Sequence, residues 1–257
     1  MKCEGSVQVL CILLWFASIY ACAGRMKQRD TELSRTRTPD METSSPDTEI
    51  FSADMYLSLG LREQGKKILG FPRVLTLLSS ALDRSVQKNE RLLETSQSKD
   101  VVTIFHGVRP PALTIRQYIE RIFKYSSCSP SCFVVAQIYM DRFIQNMDVR
   151  LTSLNVHRLL ITSLTIAAKF VDDAFFNNAY YAKVGGVSTS ELNRLEMKFL
   201  FSIDFRLHVS IDTFQRQCLL LEKEASEGLQ IERSIQSCRI TESWSNKDDS
   251  AWYSHSC

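Results

Sequence analysis

LLITSLTIAAKFV, residues 159–171, is apolar on nearly every side of a helix yet carries one charge, Lys169. A helix apolar around its circumference is buried, and a charge on it is costly unless it is paired or faces a partner. Thr162, Ser163 and Thr165 relieve the run, and their hydroxyls can bond back to the preceding turn. A second stretch, LNRLEMKFLF at 192–201, repeats the anomaly with the opposite sign, because Glu196 shares a face with Leu192, Leu195, Phe199 and Leu200. Two such charges of opposite sign suggest a docking surface.

Other helical signals surround these two. Ser129-Pro130 supplies an N-cap and an N1 proline for CFVVAQIYMDRFI at 132–144, which is also apolar over most of its circumference. Thr114 and Gln117 form a capping box for a helix with Ile115, Tyr118, Ile119, Ile122 and Phe123 on one face. Residues 71–93 place Val74, Leu77, Leu78, Ala81, Leu82 and Val86 at helical spacing, an amphipathic helix that should pack on the main domain. Pro110-Pro111 separate the two, since proline lacks a donor and biases its predecessor to extended geometry. The paired Asn and paired Gly of DDAFFNNAYYAKVGGV, 172–187, predict a connecting loop with aromatic anchors. Ser188 and Glu191 make a second capping box before the helix of Glu196. Ser210 and Asp212 offer caps for a fifth core helix with Phe214, Cys218 and Leu221 inward. No strand ladder shows between 110 and 225. The expected fold is all-α, a bundle in which outer helices wrap two buried ones.

The flanks differ from this core. VQVLCILLWFASIYAC at 7–22, with Ala21-Cys22-Ala23-Gly24 at its end, has the pattern of a signal peptide's apolar region and cleavage site. Glu4 precedes it, no Asn-x-Ser/Thr sequon occurs, and the run falls short of the roughly 20 apolar residues of a membrane span. Met26, Met41 and Met55 offer later starts, so 1–24 is read as a leader-like segment, either an upstream extension of the frame or, alternatively, a true secretory signal. Residues 25–65 read as a disordered polar linker and 224–257 as a mostly disordered tail.

Composition narrows the function. The 257 residues are 44% hydrophobic and 23% charged with a net charge of +2, so no electrostatic footprint for nucleic acid or for a membrane surface is present. The eight cysteines are scattered, and the C-x3-C spacing of Cys128 and Cys132 lacks the second pair of a closed zinc site, so free thiols and no metal are expected. His106, His157 and His208 have no acid or nucleophile at informative spacing, and Gly185-Gly186 lacks the context of a phosphate loop. No catalytic constellation, cofactor or small-molecule ligand is expected.

The segments CSPSCFVVAQIYMDRF, LTSLNVHRLLITSLTIAAKF, NNAYYAKVGGVS and ELNRLEMKFLFSIDF carry a family resemblance. The chain from Ile115 to about Leu221 resembles a cyclin box and is most similar to the plant P-type (U-type) cyclins, relatives of the fungal phosphate-signalling cyclin. The resemblance implies a single five-helix cyclin box at 112–223 with an extra N-terminal helix at 71–93, flanked by disordered tails. It implies a non-catalytic regulatory subunit that binds and activates a cyclin-dependent kinase in cell-cycle or phosphate signalling, in nucleus and cytoplasm. In cyclins a helix Lys and a helix Glu contact the kinase's regulatory helix, and Lys169 and Glu196 match those positions. Phe170, Leu200, Phe205 and Leu207 match apolar positions that pack on the kinase. Arg116 and Asp141 match an internal structural pair. Val171-Asp172 departs from the two acidic residues many cyclins carry there. The docking segment Met-Arg-Ala-Ile-Leu of cell-cycle cyclins is replaced by Ile115-Arg116-Gln117-Tyr118-Ile119, and too few patterned residues follow for a second five-helix repeat. From the residues alone an internal salt bridge and a docking pair are equally open for Lys169 and Glu196; the resemblance favours docking. The other readings are a secreted or membrane-tethered helical protein and a cyclin-fold adaptor for DNA or a transcription factor.

Overall fold

Leu59 and Val74 show how the chain is first tied together: the Leu59 carbonyl accepts the Val74 N–H at 3.1 Å, and both side chains are buried. The computed structural model describes residues 55–61, 70–95 and 101–226, all within the unit that spans Phe51–Cys257. Among them the regular structure is entirely helical. Residues 55–61 fall in the stretch read as a disordered linker, but Met55 and Leu59 are buried and Tyr56 packs against Phe214 at 6.2 Å, so the ordered domain begins earlier than composition suggests. Apolar side chains at four-residue spacing supply the reason. The leader, most of the linker, and the tail beyond 226 lie outside the described residues.

Helix α1 (Arg73–Thr95) buries Val74, Leu77, Leu78, Ala81, Leu82 and Val86, the predicted face, and packs on α2 (Ile115–Ser126) and α3 (Pro130–Met147). The capping box of α2 is complete: Thr114 Oγ1 accepts the Gln117 N–H and Gln117 Oε1 accepts the Thr114 N–H. Helix α4 (Val156–Val171) is the centre, buried along nearly its whole length, with α3 as its main neighbour. Its buried hydroxyls are satisfied as predicted, Thr162 on the Arg158 carbonyl at 2.7 Å, Ser163 on Leu160 at 3.1 Å and Thr165 on Ile161 at 2.8 Å.

The 172–187 stretch is not simply a loop. Asn177 Oδ1 accepts the Tyr180 N–H at 3.0 Å and so caps a short helix, α5 (Asn178–Gly185). The two glycines have separate jobs. At Gly185 a Cβ would sit 2.6 Å from Ile161 Cγ1, so glycine is what lets α5 approach α4. Gly186, at φ +72°, is the left-handed residue that ends α5. Arg121 of α2 donates to the Val184 carbonyl at 2.9 Å, and Tyr118 Oη donates to the Gly185 carbonyl at 2.9 Å, satisfying carbonyls the helix leaves open.

Helix α6 (Thr189–Ser202) starts at Ser188, whose Oγ accepts the Glu191 N–H. The return arm of that predicted box goes elsewhere, because Glu191 pairs with Arg158 of α4 at 2.8 Å. The expected fifth core helix forms as α7 (211–226), capped by Ser210 with Cys218 and Leu221 buried. The core also takes a residue from the irregular 101–113 segment: Phe105 sits edge-on to Phe143 at 4.9 Å and to Phe199 at 6.0 Å, while Phe143 and Phe199 stack at 5.0 Å.

Candidate functional site

Helices α4 and α6 bring the two anomalous charges together. Lys169 Nζ donates to Glu196 Oε1 at 2.6 Å, and each side chain is only 8% exposed. The other oxygen, Glu196 Oε2, accepts from Asn178 Nδ2, which also donates to Asn193 Oδ1 at 2.8 Å. The paired asparagines are therefore a cap and a clamp, Asn177 starting α5 and Asn178 steadying the carboxylate. The preference of Asn for the N-cap was the signal available in the sequence. A buried ion pair owes its persistence to hydrogen bonds of this kind, since attraction alone rarely outweighs lost hydration.

The segments that flank the pair-bearing helices carry exposed apolar side chains. Val171, Phe175 and Phe176 are exposed on the segment that joins α4 to the Asn178 end of α5, and Phe176 stacks on Tyr180 at 4.1 Å. At the far end of α6, Phe201 is 54% and Phe205 38% exposed, their rings edge-on at 5.2 Å. Of these, Phe205 is among the expected contact residues, Phe175 and Phe176 lie in the stretch read as a loop with aromatic anchors, and Val171 and Phe201 are not singled out as contacts. Exposed aromatics gathered near one feature mark an interaction surface more often than isolated ones do.

Of the other expected contact residues, Leu200 is 1% and Leu207 5% exposed, so in the free chain both pack in the core. Leu200 lies one turn beyond Glu196 on the inner face of α6, and the Leu207 carbonyl is held by Tyr139 Oη at 2.7 Å. Phe170 is half-buried beside Lys169.

The expected Arg116 and Asp141 pair is not formed. Arg116 is exposed and pairs with Glu120 at 3.0 Å along the same helix. Asp141 accepts from Gln137 Nε2 at 2.9 Å. Burial pushes its carboxyl up to about 7, with the Gln137 bond opposing and the Glu224 charge adding to the rise. Asp172, at the position where this chain departs from the acidic pair of many cyclins, accepts from the Ser129 hydroxyl at 2.7 Å and the Ser129 N–H at 3.0 Å. It starts α3 in place of a Ser129 side-chain cap.

The remaining candidates serve structure. His157 donates through Nε2 to the Leu113 carbonyl at 2.9 Å, and burial lowers its pKa. His106 Nδ1 accepts the Thr103 N–H at 2.9 Å, and His208 is exposed. Cys128, Cys132 and Cys218 are free and buried, and burial raises the pKa of each thiol, Cys218 to about 12. Thiols in that state are poor nucleophiles and ligands. Among the described residues no cluster of three or more His, Cys, Asp or Glu could hold a metal ion, and no helix is long and apolar enough to cross a membrane.

Comparison with known proteins agrees with this architecture. Residues 62–207 match the family model described as Cyclin. Cyclin-P3-1 of Oryza sativa subsp. japonica is 58% identical over 198 residues, 76% of this chain and 84% of that protein. Cyclin-U3-1 of Arabidopsis thaliana is 49% identical over 209 residues, 80% of this chain and 95% of that protein. Cyclin-U4-1 of the same plant is 50% identical over 153 residues, 59% of this chain and 76% of its own length.

Proposed function

The chain belongs to the cyclin family, and from that we propose that it binds and activates a cyclin-dependent kinase through the face built on Lys169 and Glu196. Cyclins are regulatory, non-catalytic proteins that in general partner such kinases. The observation that carries the site is the ion pair itself, two nearly buried charges clamped by Asn178 on helices whose flanking segments carry exposed apolar side chains. The apolar rim of Val171, Phe175, Phe176 and Phe205 supplies area, and the charged pair fixes register. A stable interface of this kind buries on the order of 1,200 Å² or more.

Activation is a population shift. A face that binds the inward position of the kinase's regulatory helix better than the outward one favours the arrangement that supports phosphoryl transfer, and it does so only by that difference in affinity. The chemistry stays with the kinase. We place the work in cell-cycle or phosphate signalling, in nucleus and cytoplasm, on the likeness to P-type and U-type cyclins.

The test is affinity of the purified chain for a cyclin-dependent kinase beside its affinity for duplex DNA at moderate salt, with kinase activity read in the same mixture. Saturable kinase binding with raised phosphoryl transfer supports the reading. Binding to DNA with none to the kinase rejects it in favour of an adaptor.

A further inference from the structure

The turn that follows α6 holds two consecutive non-glycine residues in the left-handed region, Asp204 at φ +52° and Phe205 at φ +53°. A side-chain-bearing residue is disfavoured there, and a bulky one more than most. Strained backbone persists only where its surroundings over-determine it. Here the determinants come from one face of α3. Tyr139, Arg142 and Asn146 are spaced at i, i+3 and i+7, so they line up along the helix. Tyr139 Oη donates to the Leu207 carbonyl at 2.7 Å. Arg142 donates through Nη1 to the Arg206 carbonyl and through Nη2 to the His208 carbonyl, and its guanidinium lies 5.8 Å from the Tyr139 ring centroid. Asn146 Nδ2 donates to the Ser202 carbonyl at 3.0 Å, while its Oδ1 accepts from Arg206.

The fastened carbonyls, of Ser202, Arg206, Leu207 and His208, bracket the strained pair. What the bracket displays is Phe205, exposed and edge-on to exposed Phe201. A turn that merely connected α6 to α7 would be served by glycine at 204 or 205. An aromatic residue kept in that conformation, with three side chains spent on fixing it, implies that the ring's position matters.

We infer that Tyr139, Arg142 and Asn146 are positioning residues that hold the 203–208 turn so that Phe205 meets the partner kinase in a fixed orientation. The inference rests on the kinase-docking reading above and adds to it the residues that set the geometry of one contact. None of the three need touch the kinase. Preorganising a contact residue improves affinity by removing the cost of ordering it on binding.

The test is a set of variants of the full chain, with affinity for a purified cyclin-dependent kinase measured by calorimetry and the nuclear Overhauser contact between the Phe201 and Phe205 rings followed in the free protein. Arg142→Ala is expected to weaken binding by about fivefold or more, as is Phe205→Ala, the scale of an interface contact residue. The Phe201 to Phe205 contact should fade in Arg142→Ala. Asp204→Gly alone should bind as the parent does, and added to Arg142→Ala it should restore at least half of the loss on a logarithmic scale, because glycine adopts the left-handed region freely. Loss of a purely structural Arg142 would lower the melting temperature while leaving kinase affinity and the ring contact of the folded protein unchanged. Asn146→Ala, at an exposed position, repeats the test should Arg142→Ala fail to fold. Weakened binding by Phe205→Ala with parental binding by Arg142→Ala and Asn146→Ala overturns the inference and leaves the docking reading intact. Parental binding by Phe205→Ala also overturns the inference, whereas absence of kinase binding by the parent chain overturns the docking reading itself.

Discussion

Lys169 and Glu196 satisfy each other at 2.6 Å at a point where the core of the helical bundle meets the surface. The pair is an internal bridge of the free chain, and under the docking proposal it is also the feature the kinase meets. A change at either residue acts on stability and on recognition together, so only variants that keep a pair can separate the two.

Asp141 gives the free protein a pH dependence of known sign. Its folded-state pKa is raised to about 7 from an ordinary 3.8, so the folded chain binds that proton more tightly than the unfolded chain. Between those values stability falls as pH rises, and above about 7 the cost is fully present. His157, whose folded pKa is lowered, acts oppositely and loses stability as pH falls through the usual histidine range. Comparing Asp141→Asn with the parent isolates the first effect, since asparagine keeps an acceptor for Gln137. The variant should melt higher than the parent at pH 8, with the gap closing towards pH 4.5. An equal gap at both pH values would refute the assignment.

Gly185 is expected to be intolerant of any side chain. Its Cβ would lie 2.6 Å from Ile161 Cγ1 in the middle of α4, an overpacking that costs about 1–3 kcal/mol. Gly186→Ala meets no neighbour but must hold φ +72°, at roughly 1 kcal/mol. Denaturant unfolding of both variants should rank Gly185→Ala as the more destabilised; the reverse order would remove the close approach from the account.

Core and rim should separate cleanly by alanine substitution. Leu200→Ala removes a fully buried side chain and should cost about 2–5 kcal/mol of stability. Phe175→Ala removes an exposed ring, so unfolding should move by no more than about 0.5 kcal/mol while kinase affinity falls. Chemical denaturation and kinase titration on the same two proteins check this, and a large stability loss for Phe175→Ala would place that ring in the core.

Much of this was legible before any coordinates. The buried pattern of 159–171, the complete Thr114 and Gln117 box and the inward face of α1 all follow from periodicity and capping, which act over one or two turns. The misses share a cause, partners far along the chain. Asn177 and Asn178 looked like chain breakers because the N-cap role and the Glu196 contact are visible only once α5 meets α6. The bond of Asp172 to Ser129, 43 residues earlier, is likewise visible only once α4 has packed on α3. The burial of Leu200 and Leu207 is decided by the packing of α6 and by the bracket from α3. Arg116 found a nearer partner in Glu120, one turn along its own exposed face.

The most direct measurement is a charge swap at the central pair. Lys169→Glu or Glu196→Lys alone leaves two like charges buried side by side and should cost about 3–5 kcal/mol of stability, the scale for breaking a buried pair. The double variant Lys169→Glu, Glu196→Lys restores an opposite pair, and rotation of the Asn178 amide would turn its oxygen, which has no partner, to the new lysine. The double variant should therefore recover most of the lost stability. Its polarity towards a partner is reversed, so its affinity for a cyclin-dependent kinase should remain weakened by roughly 2–5 kcal/mol, the range for a desolvated interfacial charge. A stable double variant that binds the kinase as tightly as the parent chain would contradict the account, reducing Lys169 and Glu196 to an internal bridge.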